Sequence, residues 1–129
     1  MRVFKTKPFT RFAIREGLMD VELCDAIRRA DEGLIDADLG GGVIKQRIAR
    51  KGQGKSGGYR SIVLFRRGEK AFFVYGFAKS SRDNIRRDEL NAFRKLADEM
   101  LTLGEQALAA AVENGTITEI RCHGQAVQE

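Results

Sequence analysis

Histidine, proline and cysteine are all scarce in this 129-residue sequence, and two of these scarcities close off whole classes of chemistry. His123 is the only histidine, so no pair of imidazoles exists to ligate a metal or to share acid–base work. It stands in a polar tail and reads as a solvent-exposed residue. Cys24 and Cys122 are far apart and form no C-x-x-C pair. Neither a zinc site nor a disulfide is expected from them, and the pattern suits a reducing cytosol. The N-terminus, Met1-Arg2-Val3-Phe4-Lys5, lacks the apolar core of a signal peptide, and no apolar run is long enough to span a bilayer. A cytoplasmic protein with no membrane contact and no metal or cofactor is expected.

Carboxylates are missing from one stretch in particular. Between Val43 and Lys70 stand nine cations (Lys45, Arg47, Arg50, Lys51, Lys55, Arg60, Arg66, Arg67 and Lys70) and one anion, Glu69. That stretch carries +8 in a chain of net charge +5, so the remainder carries −3. Such a segment meets a polyanion first, although a solvated face of strands and turns would carry the same charge. A nucleotide-cradling loop is absent as well. Gly54-Lys55-Ser56 ends like one, but Ala49 stands where the leading glycine is required, and a strand rather than a helix follows. The glycines Gly52, Gly54, Gly57 and Gly58 instead let a basic loop approach a backbone closely.

What remains is enough for one packed interior. Hydrophobic residues make up 43% of a chain of single-domain length, which argues against disorder. Val3-Phe4 begins a strand, and Pro8 opens a helix carrying Phe9, Phe12 and Ala13 on one face. A second helix runs from about Leu18, with Asp20 as N-cap and Leu23, Ile27 and Ala30 as its buried stripe, to Gly33. Gly40-Gly41-Gly42 marks a turn before a strand over Val43 to Ala49. Two further strands, Tyr59 to Phe65 and Ala71 to Lys79, flank an Arg66-Arg67-Gly68-Glu69 hairpin turn. Ile85, Phe93, Leu96, Met100 and Leu101 fall on one helical face, Gly104 breaks that helix, and a second piece runs to Gly115. A short strand, Thr116 to Arg121, and a flexible tail close the chain over 115–129. The sum is α+β, with N-terminal helices on an antiparallel sheet and a C-terminal helix.

Alternation sorts the side chains of these strands. Lys45 and Arg47 share one face of their strand, with Ile44 and Ile48 on the other; Tyr75, Phe77 and Lys79 share a face of theirs. Cations beside aromatic rings suit RNA, the cations taking phosphates and the rings stacking bases, while core packing explains Tyr75 and Phe77 equally simply.

The run Ser56-Gly57-Gly58-Tyr59-Arg60-Ser61-Ile62-Val63-Leu64-Phe65, followed by Phe73-Val74-Tyr75-Gly76-Phe77-Ala78-Lys79, resembles the RelE/HigB superfamily of toxins, and especially its HigB-like branch. The segment Leu34 to Leu39, the three glycines and Val43-Ile44-Lys45-Gln46-Arg47 fit the same pattern. The resemblance covers roughly Val3 to Ile120 and treats residues 1–129 as one domain. It implies helices packed on a four- to five-stranded antiparallel sheet. It also implies the toxin of a type II toxin–antitoxin pair, cutting mRNA on the ribosome without a metal, through attack of the ribose 2′-hydroxyl on the adjacent phosphate. The partners implied are the ribosome, mRNA and a cognate antitoxin of the helix-turn-helix repressor type.

On that pattern Arg60, Arg47 and Lys79 are the catalytic candidates, and Lys45, Lys55, Arg50, Lys51, Phe77 and Arg82 are the RNA-binding candidates. Arginine's planar fork suits a phosphate gaining charge, and a lysine crowded by cations can serve as a base. Two positions depart from the family: Ser80 stands where relatives carry an arginine, and Arg86 where they carry a tyrosine. Arg82 is placed to restore part of the lost charge, and the general acid and base are left open. Two other readings remain: a ParE-like toxin acting on DNA gyrase, and a non-catalytic RNA-binding module.

Overall fold

A computed structural model describes residues 1–49 and 58–122. Among the described residues, six strands and four helices run in the order β1 (Arg2–Thr6), α1 (Lys7–Glu16), α2 (Asp20–Asp31), β2 (Ala37–Gly40), β3 (Val43–Ile48), β4 (Tyr59–Arg66), β5 (Lys70–Ala78), α3 (Arg87–Met100), α4 (Glu105–Glu113) and β6 (Ile117–Ile120). The strands form one sheet in the order β2-β3-β4-β5-β1-β6. The α+β expectation holds, but six strands replace four or five and the sheet is not wholly antiparallel, because β1 runs parallel to β5. Val3 and Phe4 show that β1, the fifth strand in this order, is an interior one. They point to opposite faces and both are buried, which requires a helical layer over each face of the sheet. The sequence reading had no β2, whose Ala37-Asp38-Leu39-Gly40 holds no β-branched residue.

Local signals set the ends of the first two helices. Pro8 lies in the first turn of α1, and Gly17, at φ 72°, closes it with Leu18 N–H donating to Ala13 O at 2.8 Å. The cap of α2 is Met19 rather than Asp20. Its free N–H is satisfied by Glu22 at 2.7 Å, which leaves Asp20 to pair with Lys5 on β1. Leu23, Ile27 and Ala30 are buried as expected. At the other end of the sheet, Gly40, Gly41 and Gly42 all take positive φ in the β2–β3 turn. A Cβ on Gly42 would stand 2.9 Å from Leu101, so the turn fits directly beneath α3.

The sheet separates two cores. Val3, Ile44, Ile48, Tyr59, Val63, Phe65 and Phe73 pack beneath α1 and α2. Phe4, Val43, Ile62, Leu64, Phe72, Val74 and Phe77 pack beneath α3 and α4. One β-bulge decides what the second face carries. Ile62 pairs with Tyr75 but Val63 with Phe73, leaving Val74 unpaired. After Phe72 and Val74, the chain therefore delivers Tyr75 and Phe77 to the same face instead of alternating away. Gly76, next to them, turns toward α1, where a Cβ would meet the Phe12 ring at 2.3 Å. Gln46, fully buried, donates to Ala26 O at 3.1 Å and Leu34 O at 3.0 Å, tying β3 to α2.

The cysteine expectation is overturned. Cys24 and Cys122 form a disulfide, with Cα atoms 5.5 Å apart despite a sequence separation of 98. Antiparallel pairing of β6 with β1 brings the end of that strand against α2, and separation along the chain gives no hint of this contact. Among the described residues, no helix is long and apolar enough to cross a membrane. His123 and the rest of the expected tail, 123–129, lie outside the described residues.

Candidate nucleic-acid interface

The face beneath α3 extends beyond the start of that helix at Arg87, which the chain reaches from β5 through residues 79–86. Strand register lays out the floor of this end. Arg47 on β3 lies opposite Arg60 on β4, and Arg60 opposite Phe77 on β5. One step toward α3, Lys45 lies opposite Ile62 and Ile62 opposite Tyr75. Strand alternation thus brings Lys45, Arg47, Arg60, Tyr75 and Phe77 onto one patch.

Two arginines directly across a strand pair repel each other, and no carboxylate among the described residues forms an ion pair with either. Among the described residues, Lys45, Arg47 and Arg60 make no ion pair, whereas Arg2, Lys5, Arg28, Arg29, Arg82 and Arg86 each pair with a carboxylate. Arg47 Nε and Arg60 Nη1 are buried, and neither has a hydrogen-bond partner among the described residues. A buried unpaired donor costs about 1–3 kcal/mol. An anion seated between the two guanidinium groups would relieve both costs, and phosphate matches their fork geometry.

The wall of the patch is a polar network. Arg82 lies over the rings of Tyr75 and Phe77, its guanidinium carbon 5.7 Å and 5.6 Å from their centroids. It donates to the Tyr75 hydroxyl at 2.9 Å, to both Glu89 oxygens at 2.7 Å and 3.3 Å, and to Asn84 O at 2.9 Å. Glu89 also accepts the Arg86 backbone N–H at 2.6 Å, as a third helical residue does when it caps the start of its own helix. Hydrogen bonding from Arg82, then from that backbone N–H, holds the Glu89 carboxyl below its ordinary value. Its contribution to stability is complete above the unfolded value of about 4.3 and is lost as pH falls further. Lys45 joins the network through Asn84, Nζ to Oδ1 at 3.4 Å.

The expected site residues are brought together unevenly. Arg47, Arg60 and Lys45 line the floor and Arg82 the wall. Lys79 lies just past β5, exposed in the turn that Ser81 and Arg82 close on Ala78 O. Phe77 is only 4% exposed beneath Arg82, so its ring meets a ligand only if that guanidinium moves. Arg50, Lys51 and Lys55 lie outside the described residues. Glu89, Asn84 and the Tyr75 hydroxyl complete the wall and were not among the expected site residues. Glu89 was legible as a carboxylate three residues beyond a helix cap; the others depend on how the chain folds back.

The family model described as the RelE toxin of the RelE/RelB toxin–antitoxin system matches residues 1–120. No curated protein matches the chain. The match spans every described strand and helix, including the basic patch and the strands that build it. The chain belongs to the RelE toxin family, and its implied partner is a cognate antitoxin.

Proposed function

We propose that this RelE-family toxin, acting as one domain in the cytoplasm, is a ribosome-dependent mRNA endoribonuclease. The observation that carries the reading is the cross-strand pair Arg47 and Arg60, whose buried Nε and Nη1 donors have no partner and whose guanidinium groups make no ion pair among the described residues. Cleavage of a phosphodiester by its own 2′-hydroxyl needs an in-line geometry and compensation for charge gathering on the phosphate oxygens. Paired guanidinium groups supply that compensation without a metal. The new bond joins the 2′-oxygen to phosphorus, the bond from phosphorus to the 5′-oxygen breaks, and the products carry a 2′,3′-cyclic phosphate and a 5′-hydroxyl. In this reading Arg60 and Arg47 hold the reacting phosphate and Lys79 stands at its rim. Lys45, with Arg50, Lys51 and Lys55 of the basic loop, steers the flanking backbone, while Phe77 and Arg82 border the reacting nucleotide.

The test uses purified protein with ribosomes carrying a defined mRNA. The expected result is a cut within the codon exposed in the ribosomal A site, with the same mRNA intact when free. An mRNA left whole on those ribosomes, with DNA gyrase supercoiling blocked instead, would replace this reading with the gyrase-directed one. Ribosome binding with no cut would leave an RNA-binding module.

A further inference from the structure

We infer that Tyr75 is the proton donor to the leaving 5′-oxygen, held in position by Arg82, which Glu89 in turn anchors; the inference rests on the nuclease reading. A leaving alkoxide needs a proton, and the described patch offers few groups able to give one. The other tyrosine, Tyr59, lies beneath the opposite face and its hydroxyl reaches Glu16 at 3.0 Å. Glu89 is committed to Arg82 and held ionised. Lys45, whose Nζ donates to Asn84 at 3.4 Å, and Lys79, exposed past β5, also carry protons, but Tyr75 is the donor that the Arg82 network holds, delivered to this face by the bulge at Val74 and diagonal to Arg60 across the β4–β5 pair, roughly 7–8 Å in a regular sheet.

Hydrogen bonding fixes the direction of transfer. The Tyr75 oxygen accepts from Arg82 Nη1 at 2.9 Å, while its own O–H donates to nothing among the described residues. A phenol whose acceptor side is occupied and whose proton is undelivered is set to give that proton, not to take one. Arg82 is correspondingly engaged on Nε, Nη1 and Nη2 by Asn84, Tyr75 and Glu89. An arginine so fully used orients its neighbour and is a positioning residue. The ring of Tyr75 is steadied by Phe77 and Phe93, with centroids 5.9 Å and 6.0 Å away. In the step, the 2′-oxygen bonds to phosphorus and its proton passes to solvent. The bond to the 5′-oxygen breaks as the Tyr75 proton transfers to that oxygen, and water then reprotonates the phenolate.

A substrate with sulfur in place of the 5′-oxygen tests this directly, because a thiolate leaves without being protonated. Single-turnover cleavage is measured on ribosomes carrying either mRNA. Tyr75→Phe keeps the ring and its packing, and is expected to slow the oxygen substrate by roughly a hundredfold while cleaving the sulfur substrate near the wild-type rate. Glu89→Gln is expected to slow the oxygen substrate more mildly, to be rescued by sulfur in the same way, and to add little in the Tyr75→Phe background. Arg60→Ala, which removes charge stabilisation, is expected to be slow on both. Tyr75→Phe cutting the oxygen substrate at the wild-type rate, or equally slow on both, overturns the role of Tyr75 while the nuclease reading stands. A wild-type protein that cuts neither overturns both.

Discussion

Arg60→Ala is expected to lower the rate of mRNA cleavage on ribosomes by roughly a hundredfold to a thousandfold, the usual effect of removing one preorganised donor to developing charge. The stability of the variant should not fall. Arg60 lies opposite Arg47 with no ion pair among the described residues, and its Nη1 is buried without a partner. Deleting it removes a like-charge repulsion and a desolvated donor, so the melting temperature should hold or rise slightly. A residue kept for stability behaves the opposite way. Lys79→Ala, at an exposed turn, should reduce the rate without touching stability, and Lys45→Ala should do so more mildly. Arg11→Ala, exposed on α1 across the sheet, is the control and should cleave as wild type does. An Arg60→Ala protein that melts early, or one that cuts normally, would remove the arginine pair from the account.

Breaking the bond between Cys24 and Cys122 should produce the largest change in stability. The bridge closes a sequence separation of 98, for which chain-entropy reasoning gives about 4–5 kcal/mol, an upper figure because unfolded chains retain some structure. β6 is four residues long and has a strand on one side only, held by its ladder with β1 and by buried Ile117 and Ile120, and the bridge adds a covalent tie to α2 just past its end. Reduction, or the double substitution Cys24→Ser with Cys122→Ser, should shift the denaturant midpoint downward by an amount equivalent to several kcal/mol. Cleavage by the folded fraction should be unchanged, since the bridge lies beside α2 and the basic patch beneath α3. Equal midpoints for oxidised and reduced protein would show that the bridge contributes nothing.

Much of this molecule was legible because β-structure writes its faces into alternate residues. Ile44 and Ile48 against Lys45 and Arg47 gave the two sides of β3, and the same reasoning put Tyr75 and Phe77 together. That last placement held because both residues follow the bulge at Val74, which changes the face they take but not their spacing. Long-range pairings left no such trace. The parallel partner of β1 is 68 residues away in register, Arg2 beside Lys70, and nothing in Val3-Phe4 specifies it. The disulfide was misjudged for the same reason. In the site, the arginine pair follows from strand register, but the network of Tyr75, Arg82 and Glu89 needs the 79–86 segment to fold back over the strand it leaves. Charge counting found the patch; only the fold revealed that Arg82 pairs with Glu89 within it, while Arg47 and Arg60 make no ion pair among the described residues.

The central claim is that the message is cut by its own ribose, with the toxin supplying charge and a proton. Removing a single oxygen from the substrate tests this. Ribosomes are loaded with an mRNA bearing one 2′-deoxynucleotide at the cleaved position, and the products are compared with those from the all-ribose message. The account predicts that the all-ribose message yields a 2′,3′-cyclic phosphate and a 5′-hydroxyl, and that the substituted message survives intact. Cleavage of the deoxy-substituted message at the same position, or products ending in a 3′-hydroxyl and a 5′-phosphate, would contradict it.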